Sequence, residues 1–315
     1  GTPLAMAKTA GLGTSEFANV FDALKPDIVV VRGDRYEVLS AAIASAYLNI
    51  PVAHIAGGDL TGTIDESVRH AITKLSHIHF ATNEIAQKRI LRMGENPKFV
   101  FNVGSPEIEF IARNKKEFKA QNAVVNYLGG GDAIDVAKPY VIVMYHPVTT
   151  EYGDNRKNTE AILNAVYEAG IPAIWFWPNT DAGTDEVSKA IRTFRENRKP
   201  RHIRFIKYLP PEQFYGLLMA SRCLIGNSSS GVKECSYFGV PAVNIGSRQT
   251  GRARGENIVN IREHDKDAIL SAIKKQVAHG KFNKNNLYYK AGTSQKIARI
   301  LATRACPSIQ KQFYD

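Results

Sequence analysis

The sequence predicts an α/β fold built from two parallel-sheet domains, and three observations predict it. Apolar runs of strand length, such as DIVVV at 27–31 and YVIVMY at 140–145, recur along the chain and suit strands buried on both faces. Segments of helical period separate them, so successive strands run the same way with helices on both sides of the sheet. A weak internal echo (strand, Gly-polar turn, small-residue helix, then Pro and a strand ending in Ile) occurs at 28–58 and again at 223–246. At 315 residues the chain exceeds one typical core and suits two such halves.

In chain order, residues 14–25 read as a capped amphipathic helix, and the strand DIVVV ends in Arg32-Gly33-Asp34-Arg35. Open α/β sheets bind ligands beyond the carboxyl ends of their strands, which places Asp34 and Arg35 for chemistry; Asp34 reads equally as the cap of the helix YEVLSAAIASAYLN. Strand 51–55 ends at Gly57-Gly58, after which Thr63 or Asp65 starts a helix running to about Leu75. On it Asp65 and Arg69, and Glu66 and His70, lie four apart on one face, the spacing of local ion pairs. Strand 77–81, helix 84–93 and strand 99–104 continue the alternation; His77 and His79, alternating with Ile78 and Phe80, read as packed histidines rather than a metal pair. Residues 113–138 turn charged and then glycine-rich, which sets expected domains of 1–137 and 138–290, with 291–315 a C-terminal helix packing back on the first.

The second half opens with strand 140–145, and His146 at its carboxyl end suits either acid/base work or a structural contact. A helix to Glu168, strand 171–178, the turn Asn179-Thr180-Asp181-Ala182-Gly183, helix 184–196, strand 203–207 and a helix opened by Pro210-Pro211 follow. From Cys223 to Arg254 the order is strand, small-residue turn, helix, strand and basic loop. Gly226 to Gly231 let a ligand approach the backbone, and Ser228 and Ser229 open a helix whose N–H groups suit an anion. Glu234 lies about one turn in, within reach of ribose hydroxyls, and Arg248, Arg252 and Arg254 can grip phosphate oxygens. An ordinary serine-rich N-cap is the competing account. Strand 257–261 and helices at about 265–278 and 292–304 close the chain.

Composition narrows the classes. No run of about eighteen apolar residues suggests a membrane span, and the first residues lack signal-peptide blocks, so a cytoplasmic protein is expected. Cys223, Cys235 and Cys306 are widely spaced without CxxC, against a disulfide framework or a structural zinc site. The net charge of +11 is scattered over 192–207 and 273–311 without a recognised nucleic-acid motif, which favours a small phosphorylated ligand over nucleic acid.

Six motifs, taken in order, are similar to one family. Gly-Asp-Arg at 33–35, the run from Gly62 to His77, His-Pro-Val-Thr-Thr at 146–150, Pro-Asn-Thr-Asp-Ala-Gly at 178–183, the run from Gly226 to Glu234, and Gly-Ser-Arg-Gln-Thr-Gly-Arg at 246–252 resemble the hydrolysing UDP-N-acetylglucosamine 2-epimerases of sialic-acid synthesis. The resemblance implies two Rossmann-like domains facing across a cleft, the glycosyltransferase-B arrangement. It implies conversion of UDP-N-acetylglucosamine and water to N-acetylmannosamine and UDP, without redox cofactor or obligatory metal, in a homodimer. Positions matching the family's acid/base groups are Asp34, Asp65 and His146; Ser228, Ser229, Arg35 and Arg248 would hold the diphosphate, Glu234 the ribose, and Asn179 and Asp181 would lie near the sugar. A non-hydrolysing epimerase, an epimerase of another nucleotide sugar and an inactive nucleotide-sugar binder are the alternatives. Two departures stand out. Many relatives carry a glutamate where this chain has Ala56, leaving Asp59 or Glu66 to compensate, and relatives begin with a strand, a Gly-Thr-Arg loop and a helix before any match to this chain. On that resemblance the chain is expected to be an incomplete version with a weakened first sheet.

Overall fold

A computed structural model describes residues 2–303 and 308–315; the expectation for Cys306 lies outside them. The chain divides into two compact units, Thr2–Glu109 with Gly251–Ala253 and Tyr288–Asp315, and Phe110–Thr250 with Arg254–Leu287.

The first unit opens with α1 (Pro3–Leu24), longer than the expected 14–25. Thr2 caps it by accepting from the Ala5 N–H at 3.1 Å, and Pro3 occupies the first turn, where its missing N–H costs nothing. Gly11 and Gly13 lie inside this helix despite their poor propensity. At Gly13 a Cβ would stand 3.2 Å from Ser40 Oγ, and Ser40 donates to the Ala10 carbonyl at 2.8 Å, so small residues let the next helix approach. Then come β1 (Val29–Arg32), α2 (Tyr36–Tyr47), β2 (Val52–Ile55), α3 (Ile64–Leu75), β3 (Ile78–Ala81), α4 (Glu84–Arg92), β4 (Val100–Asn102) and α5 (Pro106–Asn114). The four strands are parallel in the order β1-β2-β3-β4. Val31, Ala42, Val52 and Ile72 build one face of the core, and Phe80, Val103, Ile297 and Ile300 the other. Burying each larger side chain contributes about 1.5–3 kcal/mol.

Behind this sheet His77 Nδ1 accepts from the Val52 N–H at 3.2 Å. His79 Nε2 meets the buried Glu95 at 3.0 Å, and Lys74 and Lys311 reach the same carboxylate at 2.7 and 2.6 Å. Burial would raise the Glu95 carboxyl, but hydrogen bonds from His79, Lys311 and Lys74 overcome it and hold it down at about 2.

The second unit holds α6 (Asn122–Leu128), β5 (Gly129–Gly130), β6 (Val141–Met144), α7 (Asn155–Ala169), β7 (Ala173–Phe176), α8 (Thr184–Arg198), β8 (Ile203–Ile206), α9 (Pro211–Ala220), β9 (Leu224–Gly226), the short α10 (Ser229–Val232) and α11 (Glu234–Phe238), β10 (Ala242–Ile245), β11 (Ile258–Ile261) and α12 (Lys266–His279). The last helix, α13 (Thr293–Thr303), belongs to the first unit. The sheet order is β11-β10-β9-β6-β7-β8-β5, parallel except for β5, which pairs antiparallel with β8. From β6 the chain builds outward to β8, returns, and builds the other way from β9, so the strand order reverses between β6 and β9. Such a switch point opens a crevice beyond the carboxyl ends of its two strands. Strands fit that closely because β9 ends in Gly226 (φ 127°), where a Cβ would stand 2.1 Å from the Met144 carbonyl oxygen.

Within the stretch expected to mark the domain boundary or a loop beside it, Gly129–Gly130 pairs with β8 in this second sheet, where a buried arginine fastens it. Arg204 on β8 donates to the carbonyls of Val125 (3.0 Å), Gly131 (2.6 Å), Asp132 (3.0 Å) and Gly129 (2.7 Å), and also to Asn126. Lysine, a point donor without the fork, cannot serve five carbonyls. Arg204→Lys should therefore lower unfolding stability by about 2–4 kcal/mol in urea titration; an unchanged midpoint would show that 125–132 holds without the fork.

Candidate active site

In the first unit the polar residues gather where β1 and β2 end. Gly33 (φ 83°) turns the chain out of β1, and its N–H donates to the Ile55 carbonyl at 3.0 Å. Asp34 then projects to Arg69 of α3, with which it forms an ion pair. The helix after it is capped by the backbone of Arg35 without a side-chain bond, so Asp34 is not its cap. Arg69 is 1% exposed, and besides Asp34 it donates to the Asp59 carbonyl at 2.6 Å and meets Thr61 Oγ1 at 3.4 Å. A buried guanidinium must be matched on every side, and here its partners are the groups that shape the loop. Asp65 sits in the first turn of α3 and accepts from Thr63 Oγ1 at 2.9 Å. Glu66 accepts from the Thr61 N–H at 2.6 Å, closing the same loop. Asp59 is buried, accepting from Asn83 Nδ2 at 3.3 Å and lying 3.7 Å from Arg252. Arg35 is half-exposed and paired with Glu37 at 3.2 Å.

Beneath these groups His54 ties the two strand ends together. Its Nε2 lies 2.9 Å from the Gly33 carbonyl, which can only accept, so Nε2 carries the proton. Burial lowers this imidazole to about 3, against the raising effect of the Gly33 bond, and keeps it neutral. Ala56 follows in the left-handed region (φ 68°), buried beside Gly57 and Gly58. At Gly58 (φ 79°) a Cβ would meet the Ala86 carbonyl oxygen at 2.4 Å, so only glycine fits.

In the second unit a group of polar residues gathers at the switch point. His146 follows β6, and its N–H donates to Asn227 Oδ1 at 2.8 Å while Asn227 Nδ2 donates to the His146 carbonyl at 2.8 Å. The Asn227 N–H reaches the Met144 carbonyl at 3.0 Å, and the Asn227 carbonyl accepts from Arg248 (3.2 Å) and Gln249 (2.9 Å). Ser228 caps α10, its Oγ accepting from the Ser230 N–H at 3.3 Å. The helix expected after the serine turn is two short pieces divided at Lys233, with Ser229 opening the first and Glu234 the second. Asn179 N–H donates to His146 Nδ1 at 3.2 Å, while its side-chain amide donates to Asp181. Burial, and then the positive charge of Arg248, lower the His146 imidazole to about 3. Because Nδ1 accepts a backbone hydrogen, the neutral ring carries its proton on Nε2 and presents a donor there.

Of the predicted residues, His146, Asn179, Asp181, Ser228 and Arg248 thus come together through backbone and amide bonds in one unit, and Asp34 and Asp65 flank one loop in the other. Arg254 turns away to Asn260 and the Gln249 carbonyl at 2.8 Å. Sequence reasoning missed Arg69 and Asn227 as organisers. Arg69 reads as a surface partner of Asp65, and Asn227 as one more small turn residue; burial alone distinguishes them. Among the described residues no group of three or more His, Cys, Asp or Glu side chains is placed to hold a metal ion.

Comparison with known proteins identifies the family and the fold. The family model described as UDP-N-acetylglucosamine 2-epimerase matches residues 2–302. The UDP-N,N'-diacetylbacillosamine 2-epimerase (hydrolyzing) of Legionella pneumophila is 36% identical over 298 residues, 95% of this chain and 76% of that protein. The UDP-N-acetylglucosamine 2-epimerase of Neisseria meningitidis is 31% identical over 98% of this chain and 80% of its own. The crystal structure of the Methanocaldococcus jannaschii UDP-GlcNAc 2-epimerase, in complex with UDP-GlcNAc and UDP, superposes with a TM-score of 0.77 over 94% of this chain and 81% of that one. At 21% identity that last likeness concerns the fold, two Rossmann-like units. The chain belongs to the UDP-N-acetylglucosamine 2-epimerase family.

Proposed function

We propose that the protein is a hydrolysing epimerase acting on a UDP-linked 2-acetamido sugar, releasing the 2-epimeric free sugar and UDP. The observation that supports it best is the cluster at the β6/β9 switch point, where an imidazole donor, a serine turn and Arg248 share one asparagine. In this reading Ser228, Ser229, Arg248 and the His146 Nε2–H hold the diphosphate, Glu234 the ribose, and Asn179 and Asp181 the sugar, with Arg35 an additional phosphate contact. A carboxylate removes the C2 proton, its electron pair forms the C1–C2 double bond, and UDP leaves with the C1–O pair. Water then adds to C1 while a proton returns to the opposite face of C2. Asp34 and Asp65 carry these proton transfers, each worth about 10²–10⁴ in rate. The reading includes a cytoplasmic homodimer, a state sedimentation velocity would check.

UDP-N-acetylglucosamine is the first substrate, for a sialic-acid type of synthesis. A second reading, a diacetamido nucleotide sugar, is favoured by the higher identity to the Legionella enzyme, 36% against 31%. Incubating the protein with each nucleotide sugar in deuterated water decides between them. Free sugar with deuterium at C2, plus UDP, is expected, and the substrate with the larger kcat/KM is assigned; nucleotide-linked product would reject hydrolysis. UDP binding without turnover on either sugar, unrepaired by Ala56→Glu, would instead identify an inactive binder.

The division of labour has its own tests. Asp34→Asn should cut kcat by about 10²-fold or more with UDP affinity nearly unchanged, whereas Arg248→Ala should mainly weaken UDP. Equal losses in both quantities for Asp34→Asn would make it a binding group. A nitrogen-15 NMR titration should find His146 as the neutral Nε2–H tautomer from pH 8 down to 5. Protonation with a midpoint near the ordinary histidine value of about 6.5 would remove the neutral-donor role.

A further inference from the structure

Behind the His146 and Arg248 loops lies a polar network that the proposed chemistry does not use. Glu151 stands five residues beyond His146, on the turn before α7. Its Oε1 accepts from Ser247 Oγ at 2.5 Å, and its Oε2 accepts from Asn158 Nδ2 at 3.2 Å. Ser247 immediately precedes Arg248. Tyr145, directly before His146, meets His264 Nε2 at 2.9 Å. Burial raises the Tyr145 phenol and lowers the His264 imidazole, so a neutral phenol donates to a neutral ring. His264 in turn lies under Gly246, where a Cβ would come within 3.0 Å of its ring. Two independent ties therefore join the segment after β6 to the segment after β10: Asn227 on the site side and Glu151 on the far side.

We propose that Glu151 is a positioning residue for nucleotide binding, clamping Ser247 so that Arg248 is presented in a fixed place beside His146. This rests on the reading that Arg248 grips the diphosphate. One bond is made to a carboxylate, and losing a bond of that kind costs about an order of magnitude in a coupled equilibrium.

The test is UDP affinity by calorimetry on the full chain, with unfolding temperature measured alongside. Glu151→Ala should weaken UDP about tenfold, Glu151→Gln, whose amide oxygen still accepts from Ser247, should retain affinity within about threefold, and Ser247→Ala should match Glu151→Ala. In an Arg248→Ala background, Glu151→Ala should add less than about twofold, because the clamp acts through that arginine. A merely structural glutamate would lower affinity equally in both backgrounds, which overturns the proposal. So does unchanged affinity in Glu151→Ala while the parent chain binds UDP. No binding by the parent chain overturns the nucleotide reading and the clamp together. If Glu151→Ala fails to fold, Ser247→Ala carries the same cycle.

Discussion

The two-way bond between the Asn227 amide and the His146 backbone is the constraint on which the second unit's strand-end loops depend. A parallel sheet whose strand order reverses leaves the ends of β6 and β9 side by side with no further strand to bridge them. Backbone groups there must find other partners or remain wet. One fully buried carboxamide satisfies both the N–H and the carbonyl of His146, and its own main chain bonds Met144, Arg248 and Gln249. The strand end, the serine turn and the basic loop are therefore one object. The asparagine carboxamide carries a donor and an acceptor in one plane, which matches the N–H and carbonyl of one residue.

The first unit solves an analogous problem with charge. Arg69 is out of water, and the carboxylate of Asp34 and the carbonyl of Asp59 are what replace its hydration. Such a pair adds little net stability, since desolvation consumes the Coulombic gain, but removing one member leaves the other stranded. Its effect is therefore geometric: the carboxylate beyond β1 is held to a helix that starts 30 residues later in the chain. His54, neutral and bonded to the Gly33 carbonyl, fixes the backbone under that carboxylate.

Strand ends were legible because they follow from local pattern. Apolar runs of four to six residues mark buried strands, and the first polar residues after them are at the carboxyl edge by construction, so pattern alone places Asp34, His146 and Ser228 at strand ends. What pattern does not contain is the partner of each group. Asp34 meets a residue 35 positions away and His146 one 81 away. A sequence window sees Arg69 only as the i+4 neighbour of Asp65, and Arg204 only as one of many basic residues. The glycine-rich 129–131 stretch reads as a boundary for the same reason: its strand exists only because β8 and the Arg204 fork receive it. The missed length of α1 has a different cause. Its two glycines lower local propensity, and the close contact with Ser40 that favours them is tertiary.

The tautomer of His146 shifts where proton transfer can reside in the proposed reaction. An imidazole whose Nδ1 accepts a backbone N–H has no free lone pair toward a ligand; its Nε2–H can donate, which suits a leaving diphosphate and does not suit abstraction of a carbon-bound proton. Inversion at C2 needs one group to take a proton and another to return it on the opposite face, so both transfers fall to carboxyl groups. Ala56 supplies none, and its left-handed backbone shows that the position is held by the turn around Gly57 and Gly58 rather than by its side chain. Glu66 is spent on the Thr61 N–H, and Asp59 on Asn83 and Arg252. Asp34, held by Arg69, and Asp65, in the first turn of α3, lie at a strand end and a helix start, and the proposed reaction assigns the two transfers to that pair.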